Sequence, residues 1–247
     1  MEGSSISRGL HAWLIGLLAL WFGLLFGGFV LGKPDPQHER RMPLGTRIGS
    51  SAVLVIAGWS LFCIAMSTDA NAYAALVATG MSFGFLGDLA RAHVVPVIGR
   101  ASMGMALFGL GHVAYILAFA SFDSNYIMLA PVAHISAWVA WMTIGTAAWW
   151  AVVYRSSKGT RLVWAALVYT LLLAGMAAIA TTLALQDSSF IPTAIGASLF
   201  VVSDTILAAV LFNRCRVHLI HDVIWLTYGP AQMLIVYGIA AAIRAVS

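Results

Sequence analysis

Eight apolar runs, each about 20 residues long, follow one another along this chain with mostly short connections between them. They lie at roughly 11–32, 48–66, 71–90, 101–121, 127–153, 161–185, 191–212 and 222–245. As helices rising about 1.5 Å per residue, they are long enough to cross about 30 Å of hydrocarbon. A chain of 247 residues that is 61% hydrophobic and 9% charged, with a mean hydropathy of +0.92, falls outside the soluble classes. The expected fold is all-α: a polytopic membrane bundle of eight transmembrane helices, with 1–247 as a single domain. The first run follows one basic residue, Arg8, is too long for a signal-peptide core and lacks an obvious small-x-small cleavage site, so it reads as a helix.

The charges test that count independently. Lys33, Arg40, Arg41 and Arg47 follow helix 1, Arg91 and Arg100 follow helix 3, Arg155, Lys158 and Arg161 follow helix 5, and Arg214 and Arg216 follow helix 7. The intervening connections carry no Lys or Arg but one acid each, Asp69, Asp123 and Asp187. By the positive-inside rule the odd-numbered connections are cytoplasmic and both termini lie outside. The net charge of +4 therefore reflects topology and attraction to anionic lipid, and it gives no support to nucleic-acid binding. Cys63, within helix 2, and Cys215, in a connection, are too few for a disulfide framework and read as structural. The one long connection, 33–47, contains Pro34, Pro36 and Pro43 and is expected to lie on the membrane surface.

Two aspartates interrupt the apolar runs. A carboxylate in hydrocarbon is costly and faces a bundle interior or a wet cavity, so Asp88 and Asp204 are functional-site candidates by default. Helices 3 and 7 both run inward. Asp88 is thus placed near a cytoplasmic end, and Asp204, eight residues before its helix end, roughly 12 Å deep. His112 and Tyr115 are three apart on helix 4, and Tyr228 and Gln232 are four apart on helix 8, so each pair shares a face that can meet the aspartates. Small residues precede each candidate: Gly84 and Gly87 before Asp88, Gly104 and Gly111 before His112, and Gly196, Ala197 and Ser203 before Asp204. They let membrane helices approach closely. Pro230 is expected to bend helix 8 and free backbone carbonyls toward a cavity.

Phe85-Leu86-Gly87-Asp88, Gly111-His112-Val113-Ala114-Tyr115 with Ala118-Phe119, Ser203-Asp204, and Tyr228 with Gln232, in this order and on these helices, resemble the YhhN family. The resemblance runs from about residue 40 to the end, with Arg41-Met42-Pro43-Leu44 where the family usually has Lys and Pro entering helix 2. That family comprises eight-helix integral membrane proteins, among them lysoplasmalogenases. These hydrolyse the vinyl ether bond of lysoplasmalogens to a fatty aldehyde and a glycerophospho-amine alcohol. The resemblance therefore implies an ether hydrolase that uses water and no organic cofactor, acting on a lysophospholipid substrate among membrane lipids. The expected location is a bacterial inner membrane, and the orientation of helices 3 and 7 puts both aspartates in its cytoplasmic half.

Vinyl ether hydrolysis begins with protonation of the alkenyl carbon, and water then captures the resulting oxocarbenium ion. One carboxyl that keeps its proton in a low-dielectric pocket and one better-hydrated carboxylate meet those needs, as paired carboxyls do in glycosidases. Asp204, expected deeper, is assigned the acid role, and Asp88 that of base or electrostatic partner. His112, Tyr115, Ser203, Tyr228 and Gln232 are expected to orient water or bind the glycerol part, and Arg91, with Arg47, to meet the phosphate.

Structural readings stand beside these. Asp88 can pair with Arg91 at i,i+3, Asp204 can be a structural hydrogen-bond partner, and His112 and Tyr115 can hold helices together. His134 and the tryptophans 138, 141, 149 and 150 read as packing or interfacial anchors. His218, His221 and Asp222 invite a metal reading. No third His or Cys ligand lies clearly at their depth, so no metal is expected, and Asp222 is expected to cap helix 8. The other functional classes are a lipid-binding or transport protein and a hydrolase of another ether or ester lipid. Transport has neither matched inverted halves nor paired interrupted helices in its favour.

Overall fold

The computed structural model describes residues 2–92, 101–126, 131–156 and 160–246. Arg100 and Lys158 lie outside the described residues, as does the beginning of the expected fifth helix at 127–130. The side chain of Asp123 is likewise outside the description. Among the described residues there is no strand. The helices are α1 (Glu2–Leu31), α2 (Leu44–Ala65), α3 (Asn71–Arg91), α4 (Ala101–Tyr126), α5 (Pro131–Trp149), α6 (Arg161–Gln186), α7 (Ile191–Asn213), α8 (Ile220–Tyr237) and α9 (Ile239–Ala245).

Eight spans are long and apolar enough to cross a membrane, with α8 and α9 together forming the eighth. The protein is an integral, multi-pass membrane protein. Helices are the expected solution, because in hydrocarbon each backbone N–H and C=O must be satisfied within its own segment. The last turn of the fifth span, Trp150–Tyr154, is a π-helix.

Capping sets several of the boundaries. The Thr160 side chain accepts from Val163 N–H at the start of α6, and Asp187 accepts from Ser189 N–H at 2.8 Å before Pro192 opens α7. Arg214, at φ 51°, closes α7 in the left-handed conformation. The expected bend at Pro230 takes a different form: α8 continues through Pro230 and is interrupted at Gly238, eight residues later.

α3 packs closely on α4, α5 on α6, and α7 on α8, while α8 also touches α1, α2 and α3. α8 is therefore interior, and α1 and α5 are peripheral, with most of their surface turned outward. Small residues permit the tightest approach. At Gly80 of α3 an added Cβ would stand 2.5 Å from the Tyr115 ring and 3.0 Å from the Gly111 carbonyl, so the α3/α4 contact needs glycine there. On α5, the Trp141 indole donates to Thr181 at 2.9 Å and the Trp149 indole to the Val163 carbonyl at 2.9 Å, which fits their reading as packing groups.

The 32–43 connection folds against the 214–219 connection and the first turn of α8. Leu219 N–H donates to the His38 carbonyl at 2.9 Å and His221 N–H to the Glu39 carbonyl at 3.1 Å. Asp222 completes the join. It does not cap its own helix; its buried carboxylate accepts the backbone N–H groups of Arg41 at 2.5 Å and Met42 at 3.0 Å. Two consecutive peptide donors ahead of α2 are unpaired by any ladder, and an acid one turn into α8 is the acceptor that satisfies them.

Candidate functional site

Asp88 lies in the last turn of α3 and is 3% exposed. Its Oδ2 accepts the Ser51 hydroxyl of α2 at 2.6 Å and the Tyr228 hydroxyl of α8 at 2.9 Å. The chain of donors continues inward. Gln232 Nε2 donates to the Tyr228 oxygen at 3.3 Å, and the Tyr115 hydroxyl donates to Gln232 Oε1 at 2.6 Å. Each proton in this buried series points toward Asp88, and together the bonds tie α2, α3, α4 and α8 around one carboxyl oxygen. Three aromatic edges hold the Tyr228 ring: Trp225 and Phe200 at 5.3 Å and Phe108 at 5.9 Å between centroids, each nearly perpendicular to it.

Asp204 belongs to a second constellation. The Tyr169 hydroxyl of α6 donates to Asp204 Oδ2, and His112 Nε2 of α4 meets the same hydroxyl at 3.1 Å. Because the Tyr169 proton is committed to Asp204, the shared bond requires His112 to donate from Nε2, a tautomer assigned from the network. His112 Nδ1 is then a buried acceptor without a partner.

The two constellations share a wall. Phe200, one turn before Asp204 on the same face of α7, packs its ring 4.7 Å from His112 and 5.3 Å from Tyr228. Arg91 lies within electrostatic reach of both carboxylates. It forms no direct ion pair with Asp88 among the described residues, and its stem lies where a Cβ on Gly104 would come within 3.1 Å.

The sequence model of the YhhN family matches residues 42–239, most of the chain. The chain belongs to the YhhN family. No curated protein and no solved structure matches it. The span matched by the YhhN model contains both constellations complete and leaves out α1 and the first part of the connection after it.

The residues singled out from this YhhN sequence thus divide between two carboxyl groups. Tyr115, Tyr228 and Gln232 serve Asp88, and His112 serves Asp204. Ser203 is fully buried, with its hydroxyl bonded to the Ile224 carbonyl at 3.1 Å, so it ties α7 to α8. Asp88 is the more enclosed of the two, with hydroxyl donors from α2 and α8, and Asp204 is intermediate in burial, with a hydroxyl donor from α6.

Two site residues went unrecognised in the sequence. Ser51 is one serine of an adjacent pair in an apolar helix, and Tyr169 is a lone tyrosine among Leu167, Val168 and Thr170. Depth offered a signal for Tyr169, which lies eight residues into α6 just as Asp204 lies nine before the end of α7.

His218, His221 and Asp222 do not converge. Asp222 is committed to the loop backbone, His221 Nε2 lies 3.8 Å from Glu39, and the His218 ring faces His38 at 6.3 Å. No group of three or more metal-ligating side chains forms among the described residues.

Proposed function

We propose that the protein is a lysoplasmalogenase-like hydrolase. It cleaves the vinyl ether bond of alkenyl glycerophosphoethanolamine or glycerophosphocholine to a fatty aldehyde and the glycerophospho-amine alcohol. The observation that carries this reading is the pair of intramembrane carboxyls, each held by a tyrosine hydroxyl and separated by one aromatic wall. Paired carboxyls supply what enol ether hydrolysis needs, a proton for carbon and an anion for the cation that results.

Enclosure divides the roles in this reading: Asp88, the more enclosed carboxyl, is assigned the part of proton donor, and Asp204 that of base. In this scheme Asp88 gives its proton to the alkenyl carbon distant from oxygen, leaving an oxocarbenium ion. Water adds to the carbon bearing oxygen as Asp204 takes its proton. The hemiacetal then collapses: its hydroxyl proton passes to Asp88, the glycerol oxygen departs with the proton held by Asp204, and the aldehyde remains. Substrate and water are thereby converted to aldehyde and alcohol, and both carboxyls return to their starting states. Ser51, Tyr228 and Gln232 hold Asp88 in place, and Tyr169 and His112 hold Asp204. With the basic connections in the cytoplasm, the site opens toward the cytoplasmic half of the membrane.

The test is fatty aldehyde release from a vinyl-ether lysophospholipid by purified protein in detergent. Asp88→Asn and Asp204→Asn should each lower turnover by about 10²- to 10⁴-fold at unchanged thermal stability. No aldehyde from folded wild type across headgroups and chain lengths would transfer the reading to another lipid substrate or to lipid binding and transport.

A further inference from the structure

A cleft of about 480 Å³ opens where the 32–43 connection meets the start of α2, and Lys33, Arg40, Arg41 and Arg47 line it together with one acid, Asp35. Most of these charges already have work. Arg41 donates to the carbonyls of Gly32 at 3.3 Å and Val30 at 3.1 Å and lies over the Phe29 ring, so it closes the end of α1. Asp35 accepts the backbone N–H groups of Glu39 at 2.9 Å and Arg40 at 3.3 Å and stands 4.0 Å from the Arg40 guanidinium, so it shapes the loop.

Arg47 is different. Its Nε is buried and has no hydrogen-bond partner, and its guanidinium lies 5.6 Å over the Trp225 ring. A buried arginine N–H without an acceptor is costly, and a planar fork stacked on an aromatic ring is the usual means of holding a phosphate or carboxylate by two bonds.

The direction in which Arg47 leads is also informative. Trp225 packs on Tyr228 at 5.3 Å, and Tyr228 donates to Asp88. Along α2, Arg47 is one turn before Ser51, which bonds the same carboxyl. Four residues of helix rise about 6 Å. Six single bonds of about 1.5 Å separate the phosphorus of a lysoplasmalogen from its vinyl ether carbon, spanning roughly 7 Å when extended. The phosphorus-to-vinyl-ether span is thus comparable with the one helical turn that separates Arg47 from Ser51, the hydroxyl donor to Asp88.

We propose that this cleft is the phosphate subsite of the lipid substrate and that the Arg47 guanidinium grips the phosphate at its inner end. The assignment rests on the hydrolase reading for its substrate but not for its test. Saturated 1-O-hexadecyl-glycerophosphoethanolamine keeps the phosphate and cannot be cleaved as an enol ether, whereas 1-O-hexadecylglycerol keeps the chain and lacks the phosphate. Thermal stability of the purified protein is followed against each, against inorganic phosphate, and in nanodiscs with diacyl phosphatidylglycerol. The saturated lysophospholipid should raise Tm in the wild type well beyond hexadecylglycerol, inorganic phosphate or the diacyl lipid.

Arg47→Gln should weaken the apparent affinity for that lysophospholipid about 10- to 100-fold and leave the hexadecylglycerol response unchanged. Arg47→Lys, which keeps the charge and loses the fork, should fall between them and serves if the Gln variant does not fold. Four results would each overturn the proposal: equal stabilisation by hexadecylglycerol, an equal effect of inorganic phosphate, an equal effect of the diacyl lipid, or an undiminished response in both Arg47 variants. Aldehyde release with no Arg47-dependent stabilisation would remove the subsite alone. Stabilisation without aldehyde release would remove the hydrolase reading alone.

Discussion

Ser51 and Tyr228 donate to the same oxygen of Asp88, one from α2 and one from α8, at 2.6 and 2.9 Å. One carboxyl oxygen thereby fixes the separation of three helices. Ser51→Ala and Tyr228→Phe each remove one interhelical hydrogen bond, which costs about 0.6 kcal/mol and at most about 1.7 kcal/mol of stability in a membrane bundle. The effect on turnover should be larger than that on unfolding, about tenfold or more, because a misaimed carboxyl loses proton-transfer geometry. Turnover and Tm measured together check this; a drop in Tm with unchanged turnover would make both residues purely structural.

Tyr169 stands between His112 and Asp204, bonded to both. Tyr169→Phe deletes both bonds at once and should lower turnover by about 10- to 100-fold. His112→Ala in the Tyr169→Phe background should add little, since the two residues act through one hydroxyl. A double-mutant cycle on turnover makes the measurement, and full additivity would separate His112 from the Asp204 group.

Gly80 and Gly84, one turn apart on α3, predict different failures. A Cβ at Gly80 would lie 2.5 Å from the buried Tyr115 ring, and one at Gly84 would lie 2.7 Å from Gln232 Nε2. Gly80→Ala should cost about 1 to 3 kcal/mol through overpacking, read as a lowered Tm. Gly84→Ala meets the end of a side chain that can swing, so it should spare more of the stability and reduce turnover by unseating Gln232 from Tyr228. The ratio of the two effects in each variant is the observable.

Asp222 holds the 32–43 connection to α8 through Arg41 and Met42. Asp222→Ala leaves the buried Met42 N–H and the part-buried Arg41 N–H without this acceptor, so the loss should reach about 1 to 3 kcal/mol for the buried donor and less for the other. Limited proteolysis within residues 33–41 should become faster in this variant and remain slow in Asp204→Asn, whose carboxyl is far from the loop in sequence and makes no bond to it.

The eight spans were legible in the sequence because the bilayer leaves so little choice. Apolar runs of sufficient length must become helices, and α2, α3, α6 and α7 begin and end within four residues of where hydropathy placed them. Asp88 and Asp204 were legible as candidates for the same reason, since a carboxyl within an apolar span needs polar partners, and both have them across helices. Helical spacing also put Tyr228 and Gln232 on one face, and they are bonded to each other. Partners across helices were not legible. That Ser51 meets Asp88, that Tyr169 joins His112 to Asp204, and that Asp222 reaches back to the residues before α2 depend on which helices are neighbours. How closely each aspartate is enclosed was not legible for the same reason. Depth along a helix follows from counting residues, whereas enclosure depends on what packs around the helix, and only the tertiary structure decided that α2 and α8 close over Asp88 while Asp204 is less fully buried.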